Sequence, residues 1–214
     1  GLIPPFKFIP LAEETGIIVE LDRWVMTEAW RQFEQWQQDG LNPGILSLNL
    51  SMIQLNHDDF ITAVKQQLQL RDLPSNKLMF EMTETQMMQN PDRVVSMLEQ
   101  LRALGVKLAI DDFGTGHSSL SYIKRLPVDK IKIDQSFVRD IPEDSDDMEL
   151  TRAIIAMSHS LRLEVIAEGV ETIQQADFLQ QHGCSEAQGY LYYKPMPAHE
   201  VSVVLHKKLR QKAV

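Results

Sequence analysis

Residues 107–120 read KLAIDDFGTGHSSL. The stretch begins with a short β-prone run at residues 107–110, continues with Asp111 and Asp112, and then passes two glycines that flank a threonine. Glycines in this arrangement after a strand indicate a tight, mobile loop, and the two serines before Leu120 are typical of a helix N-terminus. The stretch therefore predicts a strand, a loop that bears two carboxylates, and a helix.

The same alternation of strand and helix patterns continues along nearly the whole chain. Short β-prone runs, each between stretches with helical spacing, occur at residues 45–50, 78–82, 107–110, 130–133, 164–167 and 188–193. The spacing of apolar residues and the capping signals predict helices at residues 21–39, 60–71, 91–104, 147–161, 172–181 and 198–211. Such an alternation is typical of βα units around a parallel sheet.

These βα units predict an α/β fold of TIM (β/α)-barrel type, with residues 1–214 as a single domain. A closed eight-stranded barrel usually needs about 250 residues, whereas this chain has 214 and opens on a proline-rich loop and a helix. We therefore expect a modified, incomplete barrel with about six of its eight strands. The two remaining strands are expected before Gly1.

The charge balance and the single cysteine narrow the classes of function. Thirty acidic against 21 basic residues give a net charge of -9, which repels long polyanions and argues against binding of duplex nucleic acid. No apolar run approaches the roughly 20 residues of a membrane span, and the start lacks the features of a signal peptide. Cys184 has no second cysteine to pair with, which favours a reducing cytoplasm.

Most of the predicted strands end in a residue that can bind a metal ion or ionise. The carboxyl ends of the strands converge on one face of a barrel, and active sites are built there. We therefore expect these residues to meet in one pocket. The first three predicted strands end at Asn49, at Glu81 and at Asp111 with Asp112, while Lys132 lies within the fourth, Glu168 follows the fifth and Gln188 opens the last.

Several carboxylates in one pocket repel one another unless they are protonated or bridged by cations. Oxygen ligands with one amide carbonyl suit Mg²⁺ or Mn²⁺, and we expect two such ions with a carboxylate such as Asp111 as the bridge. Two ions roughly 3.5–4 Å apart can clamp a phosphate and activate water to cleave a phosphodiester. Lys132 would orient or activate that water, or neutralise charge on the phosphate.

A structural role is the alternative for each single carboxylate, because an acidic residue just past a strand is often the N-cap of the next helix. The set is harder to explain in this way, since capping requires neither an adjacent aspartate pair nor a lysine inside a strand. Glu84, three residues after Glu81, either accepts hydrogen bonds from the glycine loop or is an ordinary solvated glutamate.

The chain closely resembles the EAL-domain family of cyclic di-GMP phosphodiesterases, and the resemblance runs through essentially its whole length. Each motif is weak alone, but the ordered set is highly specific. The matching stretches are IPPFKFIPLAEETGII (residues 3–18), LNLS (48–51), EMTET (81–85), IDDFGTG (110–116), KIKIDQSFV (130–138), IAEGVET (166–172) and QGYLYYKPMP (188–197).

This resemblance implies hydrolysis of cyclic di-GMP to linear pGpG by water on a centre of two Mg²⁺ or Mn²⁺ ions. It assigns Asn49, Glu81 and Asp111 to one ion. Asp111 is then shared with a second ion, which Asp112 and Glu168 also bind. The resemblance further implies a homodimer, because members of the family often pair through the helices beside the DDFGTG loop.

Other residues receive roles near the substrate from the same resemblance. Lys132 would position the attacking water, and Glu168 belongs to the catalytic set as well as to the metal ligands. Gln188 resembles the glutamine near the substrate and the metal-bound water, and Glu171 resembles a second acidic group of the EGVE motif. Glu84 resembles the anchor of the DDFGTG loop.

The name-giving Glu-Ala-Leu motif, with a further metal-ligand glutamate, is expected before Gly1. Loss of one ligand weakens a binuclear site severely. These 214 residues can therefore be inactive by themselves even where the parent domain, with its possible fused sensor or cyclase domains, is active. A signalling module that binds the dinucleotide or a protein without cleavage is one alternative. A different metal-dependent barrel enzyme, such as an aldolase or isomerase, is another.

Overall fold

The computed structural model describes residues 3–57, 59–71, 73–88, 90–116 and 119–212. The strands are β1 (Leu46–Asn49), β2 (Leu78–Thr83), β3 (Lys107–Phe113), β4 (Lys130–Ile133), β5 (Glu164–Ala167) and β6 (Glu186–Ala187). They are hydrogen-bonded in the order β1-β2-β3-β4-β5-β6. The predicted α/β class, with a βα arrangement of TIM-barrel type, is confirmed.

Helices separate the strands, as the apolar spacing predicts. They are α1 (Pro5–Thr15), α2 (Ile18–Gln38), α3 (Met52–Leu55), α4 (Phe60–Arg71), α5 (Glu84–Met87), α6 (Pro91–Ala103), α7 (Leu120–Ile123), α8 (Ser145–Ser160), α9 (Ile173–Gln181) and α10 (Ala198–Lys212). Within the part of the chain that the structure describes, none of them combines the length and the apolar character needed to cross a bilayer.

Strands β1 to β5 confirm the first five predicted runs, but the strand predicted at residues 188–193 is wrong. The chain leaves the sheet at Gln188 and then forms a turn, in which Tyr192 N donates to Gly189 O at 3.1 Å and Tyr193 N donates to the same oxygen at 3.2 Å. Gly189 lies so close to the backbone of Val170 that a Cβ atom would collide with it. The aromatic run that looked like a strand is therefore a turn with exposed tyrosines.

The start of the chain also differs from its prediction. The proline-rich segment expected as a loop is helical from Pro5, because the fixed φ of proline suits the first helical position. Gly16, with φ 76°, ends α1 in the left-handed conformation. Ser119 caps α7 and accepts from Tyr122 N at 3.2 Å, whereas Ser118, the other serine of the predicted cap, lies outside the described residues.

The chain divides into two compact units, so the single domain predicted for residues 1–214 stays a prediction. The first unit comprises Gly1–Phe80, Ala103–Val106 and Pro197–Val214. In it the Trp30 and Phe60 side chains are almost fully buried. Helix α10 contacts α2 within this unit, where Trp36 Nε1 donates to Ser202 Oγ at 2.8 Å.

The second unit comprises Glu81–Arg102 and Lys107–Met196. Strands β3, β4, β5 and β6 pair in parallel within it, with Ile131 opposite Val165 and Ile133 opposite Ala167. The apolar face of α6 is buried at Val94, Leu98 and Leu101. Because the strands run in the same direction, the residues that end β3, β4 and β5 come together at one edge.

Cys184 is buried in this second unit at 3% exposure, and its Sγ lies 3.3 Å from the carbonyl oxygen of Glu186. Burial raises the pKa of the Cys184 thiol to about 11. At pH 8 roughly one thiol in 10³ is then ionised, and we expect iodoacetamide to leave the folded protein unmodified while it alkylates the protein in urea. Mass spectrometry checks this, and rapid alkylation of the folded protein would contradict it.

Candidate metal centre

Strand β4 places two lysines on one side of the sheet. Side chains alternate along a strand, so Lys130 and Lys132 share one face while Ile131 and Ile133 share the other. All four are at most 4% exposed. A buried lysine requires charged partners, because an unpaired ammonium loses its hydration without compensation.

Lys132 finds these partners in three carboxylates, which lie on β2, on β3 and directly after β5. Its Nζ lies 2.6 Å from Glu81 Oε2, 2.8 Å from Asp111 Oδ1 and 2.7 Å from Glu168 Oε1. Burial by itself lowers the pKa of Lys132, but the carboxylates more than offset this effect and raise the pKa above its ordinary value. Lys132 is therefore a cation at the centre of an acidic cluster.

A bulge in β3 brings the two aspartates to the same site. Adjacent residues in a regular strand point to opposite faces, but the pairing with β4 moves from Ile110 opposite Ile131 to Phe113 opposite Ile133, so β3 has one extra residue here. Asp112 has φ 51° at this bulge. Bulges next to active sites redirect side chains in this way.

Three carboxylates converge closely enough to share a cation. One oxygen from each of Asp111, Asp112 and Glu168 lies within 4.8 Å of the others. Burial is the first cause that raises the pKa of Glu168, and burial followed by the charge of Asp111 raises the pKa of Asp112. An all-oxygen set of this kind fits a hard divalent cation such as Mg²⁺ or Mn²⁺.

Helix capping does not explain these carboxylates. The helices that follow β2, β3 and β5 have hydroxyl residues at their N-caps, which are Thr83, Ser119 and Thr172. The cluster of acidic residues is therefore additional to what the helix ends require.

Glu84 holds the glycine loop that follows β3. Its side chain is 4% exposed, and its Oε2 accepts hydrogen bonds from Gly114 N at 3.0 Å and from Gly116 N at 3.3 Å. A Cβ atom on Gly116 would come within 2.8 Å of the Glu84 carboxyl group. A larger residue at position 116 would therefore displace the Glu84 carboxylate from its present position.

Replacement of Glu84 by alanine is expected to release this loop. Removal of the acceptor leaves two backbone N–H groups unpaired, so we expect the Gly114 and Gly116 amides to exchange with deuterium about 10- to 100-fold faster. Glu143→Ala, which removes an exposed carboxylate of the same unit, is the control. Unchanged protection of both glycines would contradict the assignment.

The second unit also contains a cavity of about 300 Å³ beside the carboxylates. The predicted residues that line it are Asp112, Glu168, Glu171 and Gln188, and the lining residues that were not predicted are Asp134, Gln135, Gly169, Gly189 and Tyr190. Asp134 directly follows β4, so the rule that selected acidic residues at strand ends could have predicted it as well. Its carboxylate also accepts from Ser136 N at 2.9 Å.

Asn49 belongs to the first unit, whereas the other predicted site residues belong to the second. It is the last residue of β1, and it lines a small cavity of about 20 Å³ together with Asp22 and Gln54. Its participation in metal binding stays a prediction.

The geometry defines a class of protein: an α/β chain with an oxygen-rich candidate metal centre, arranged around a buried lysine at the ends of parallel strands. The chain belongs to the EAL domain family, whose family model matches residues 1–195.

Two curated relatives share this family. One is the bifunctional diguanylate cyclase/cyclic di-GMP phosphodiesterase MucR of Pseudomonas aeruginosa, which is 44% identical over 94% of this chain and 29% of the relative. The other is the cyclic di-GMP phosphodiesterase PdeR of Escherichia coli, which is 44% identical over 92% of this chain and 30% of the relative. The chain therefore spans less than a third of the length of either.

Solved structures share the fold. The structure described as the PaMucR phosphodiesterase c-di-GMP complex has a TM-score of 0.90 and 44% identity, over 94% of this chain and 81% of that one. A manganese/cyclic di-GMP complex of Klebsiella pneumoniae BlrP1 has a TM-score of 0.77 and 32% identity, over 88% of this chain and 47% of that one.

Proposed function

We propose that the chain is the phosphodiesterase domain of a cyclic di-GMP signalling protein and that it hydrolyses cyclic di-GMP to linear pGpG. The observation that carries this proposal is the convergence of Asp111, Asp112 and Glu168 within 4.8 Å of one another, beside Lys132. Relatives named as cyclic di-GMP phosphodiesterases support the substrate. The cavity next to the three carboxylates offers room for a phosphate group.

Two divalent cations, Mg²⁺ or Mn²⁺, complete the proposed site. Glu81 and Asp111 would hold one ion, with Asn49 as a further oxygen ligand, and Asp111, Asp112 and Glu168 would hold the other. The manganese complex of BlrP1 supports the choice of metal. When bound, such ions stabilise negative charge on a phosphoryl oxygen and lower the pKa of water.

The chain's own residues divide the remaining work. Lys132 is a fixed cation that balances part of the acidic charge, and it would position the attacking water through the three carboxylates that it contacts. Glu168 is both a ligand and a potential proton acceptor, since burial raises its pKa. Gln188 and Glu171 line the cavity and would orient the substrate. Glu84 holds the glycine loop that follows the aspartate pair.

The setting of the domain is part of the proposal. A reducing cytoplasm suits a chain whose single cysteine is a buried free thiol, and cyclic di-GMP complexes of EAL proteins support the dinucleotide as ligand. The relatives are more than three times as long as the matched segment, which fits fusion to sensor or cyclase domains. We also propose a homodimer, which light scattering of the purified protein tests.

The decisive experiment incubates the full-length gene product that contains these residues with cyclic di-GMP and Mn²⁺, and follows pGpG by chromatography. We expect pGpG to form, to disappear with EDTA and to return when Mn²⁺ is restored in excess. Tight binding of cyclic di-GMP with no pGpG under any metal condition would replace the enzyme by a signalling module that only binds the dinucleotide.

A further inference from the structure

Two loops of the second unit supply most of the cavity that lies beside the carboxylates. The turn after β4, residues 134–139, contributes Asp134 and Gln135, and the segment after β5, residues 168–172, contributes Glu168, Gly169 and Glu171. The sheet holds only the start of these loops: Glu168 N donates to Ile133 O at 3.1 Å, whereas Gln135 and Glu171 lie beyond the ends of the strands. A further contact is needed to set the spacing between these more distant parts of the loops.

At the cavity the two loops touch through a glycine. Gly169 has φ 68°, and a Cβ atom at this position would lie 2.5 Å from the Cβ atom of Gln135. This close approach leaves no space for a side chain between the loops. It limits how near they come but does not hold them together.

Gln175, which is not among the residues that line the cavity, joins the same two loops. Its Oε1 accepts from Glu171 N at 2.7 Å and from Thr172 N at 2.9 Å, and its Nε2 donates to Arg139 O at 3.0 Å. The Arg139 N in turn donates to Gln135 O at 2.9 Å. One buried amide, 3% exposed, is thus bonded to both cavity-lining segments.

We propose that Gln175 is a positioning residue for the reaction: it sets the distance between the loop with Asp134 and Gln135 and the loop with Glu168 and Glu171. This inference rests on the proposed phosphodiesterase function. Gln175 touches neither substrate nor metal in this role, and it acts through the backbone of Glu171 and Arg139.

Capping of α9 alone does not require this arrangement. In a capping box the third helical residue only needs to accept from the N-cap backbone N–H, and Gln86 does this for Thr83 at the start of α5. The donation from Gln175 to Arg139, 36 residues earlier, is additional to the cap. A buried donor without its acceptor is costly, and the Gln175 amide is buried, so this bond constrains the turn at residues 134–139.

Two substitutions distinguish the hydrogen bond from Gln175 to Arg139 O, which we call the bridge, from the cap of α9. Gln175→Glu keeps an oxygen that can accept from Glu171 N and Thr172 N, and glutamate is an equally good capping-box residue, but its carboxylate has no N–H for Arg139 O. Thr172→Val removes the hydroxyl that accepts from Gln175 N, so it weakens the cap and leaves the bridge to Arg139 in place.

The variants are compared in the full-length protein with cyclic di-GMP and Mn²⁺. We expect Gln175→Glu to lower kcat about 10- to 100-fold, as loss of a residue that orients active groups does, with KM changed by less than about threefold. Thr172→Val should keep kcat within about threefold of the parent although the weakened cap lowers its melting temperature. If Gln175→Glu retains the parent kcat, or if Thr172→Val loses as much, the positioning role is wrong.

Hydrogen exchange provides a readout that is independent of activity. Gln175→Glu should accelerate amide exchange at residues 134–139 as well as 168–172, whereas Thr172→Val should affect the start of α9 alone. Unchanged exchange at residues 134–139 in Gln175→Glu would overturn the link between the loops. Failure of the parent protein to form pGpG would instead overturn the proposed function, and the exchange result would still decide whether Gln175 joins the loops.

Discussion

Replacement of Asp111 by asparagine is expected to lower the rate of pGpG formation by roughly 10³-fold or more, which corresponds to about 4 kcal/mol of transition-state stabilisation. Asp111 contacts Lys132 and belongs to the carboxylate group that can hold a cation. Asparagine keeps the size of the side chain but removes its charge, so the affinity for Mn²⁺ should fall together with the rate.

Rates and Mn²⁺ affinities are measured in the full-length protein, by chromatography of pGpG and by titration calorimetry. Glu143→Gln is the matched control, because it removes one exposed carboxylate of the same unit without touching the cluster. A loss of less than about tenfold in Asp111→Asn would show that Asp111 is not a ligand on which the reaction depends.

The second large effect is expected from Lys132→Met, which removes the cation from the centre of the cluster. Its partners Glu81, Asp111 and Glu168 have side-chain exposures of only 9, 12 and 17%, so they cannot recover full hydration. Breaking a buried ion pair on one side costs about 3–5 kcal/mol. We expect a fall of this size in the free energy of unfolding, measured by urea denaturation in the presence of EDTA, together with loss of pGpG formation.

Lys130 provides a control on the same strand and the same face. It is as buried as Lys132 but pairs with Glu164 and Glu186, whose side chains are 55 and 48% exposed. Those carboxylates return to water when the lysine is removed, so Lys130→Met should cost less than about 2 kcal/mol. It should also leave the reaction intact. Equal destabilisation by the two variants would mean that Lys132 is an ordinary buried lysine.

Much of the fold was open to prediction from local pattern. Runs of apolar and β-branched residues placed β4 and β5 at their observed bounds, and the spacing of Val94, Leu98 and Leu101 placed the buried face of α6. The strand predicted at residues 188–193 was wrong because aromatic residues favour strands. The contact between Gly189 and Val170, at which the chain turns, joins segments that are distant in sequence, so local pattern does not reveal it.

Residue types and their order by themselves determined the candidate chemistry. Acidic residues near the carboxyl ends of parallel strands approach one another at one edge of the sheet, so the repeated pattern of strand and carboxylate was sufficient to nominate Glu81, Asp111 and Glu168. This step needed no measured distance, because strands that run in the same direction have their carboxyl ends at the same edge of the sheet.

Only the tertiary structure decided how the aspartate pair and the lysines are used. A period of two places Asp111 and Asp112 on opposite faces, and only the bulge against β4 lets both carboxylates reach one site. The alternation KIKI likewise fits a half-exposed strand with lysines in water, yet all four residues are buried. Lys132 is tolerated there because carboxylates from three other positions in the chain surround it, and the proximity of such distant residues is set by packing.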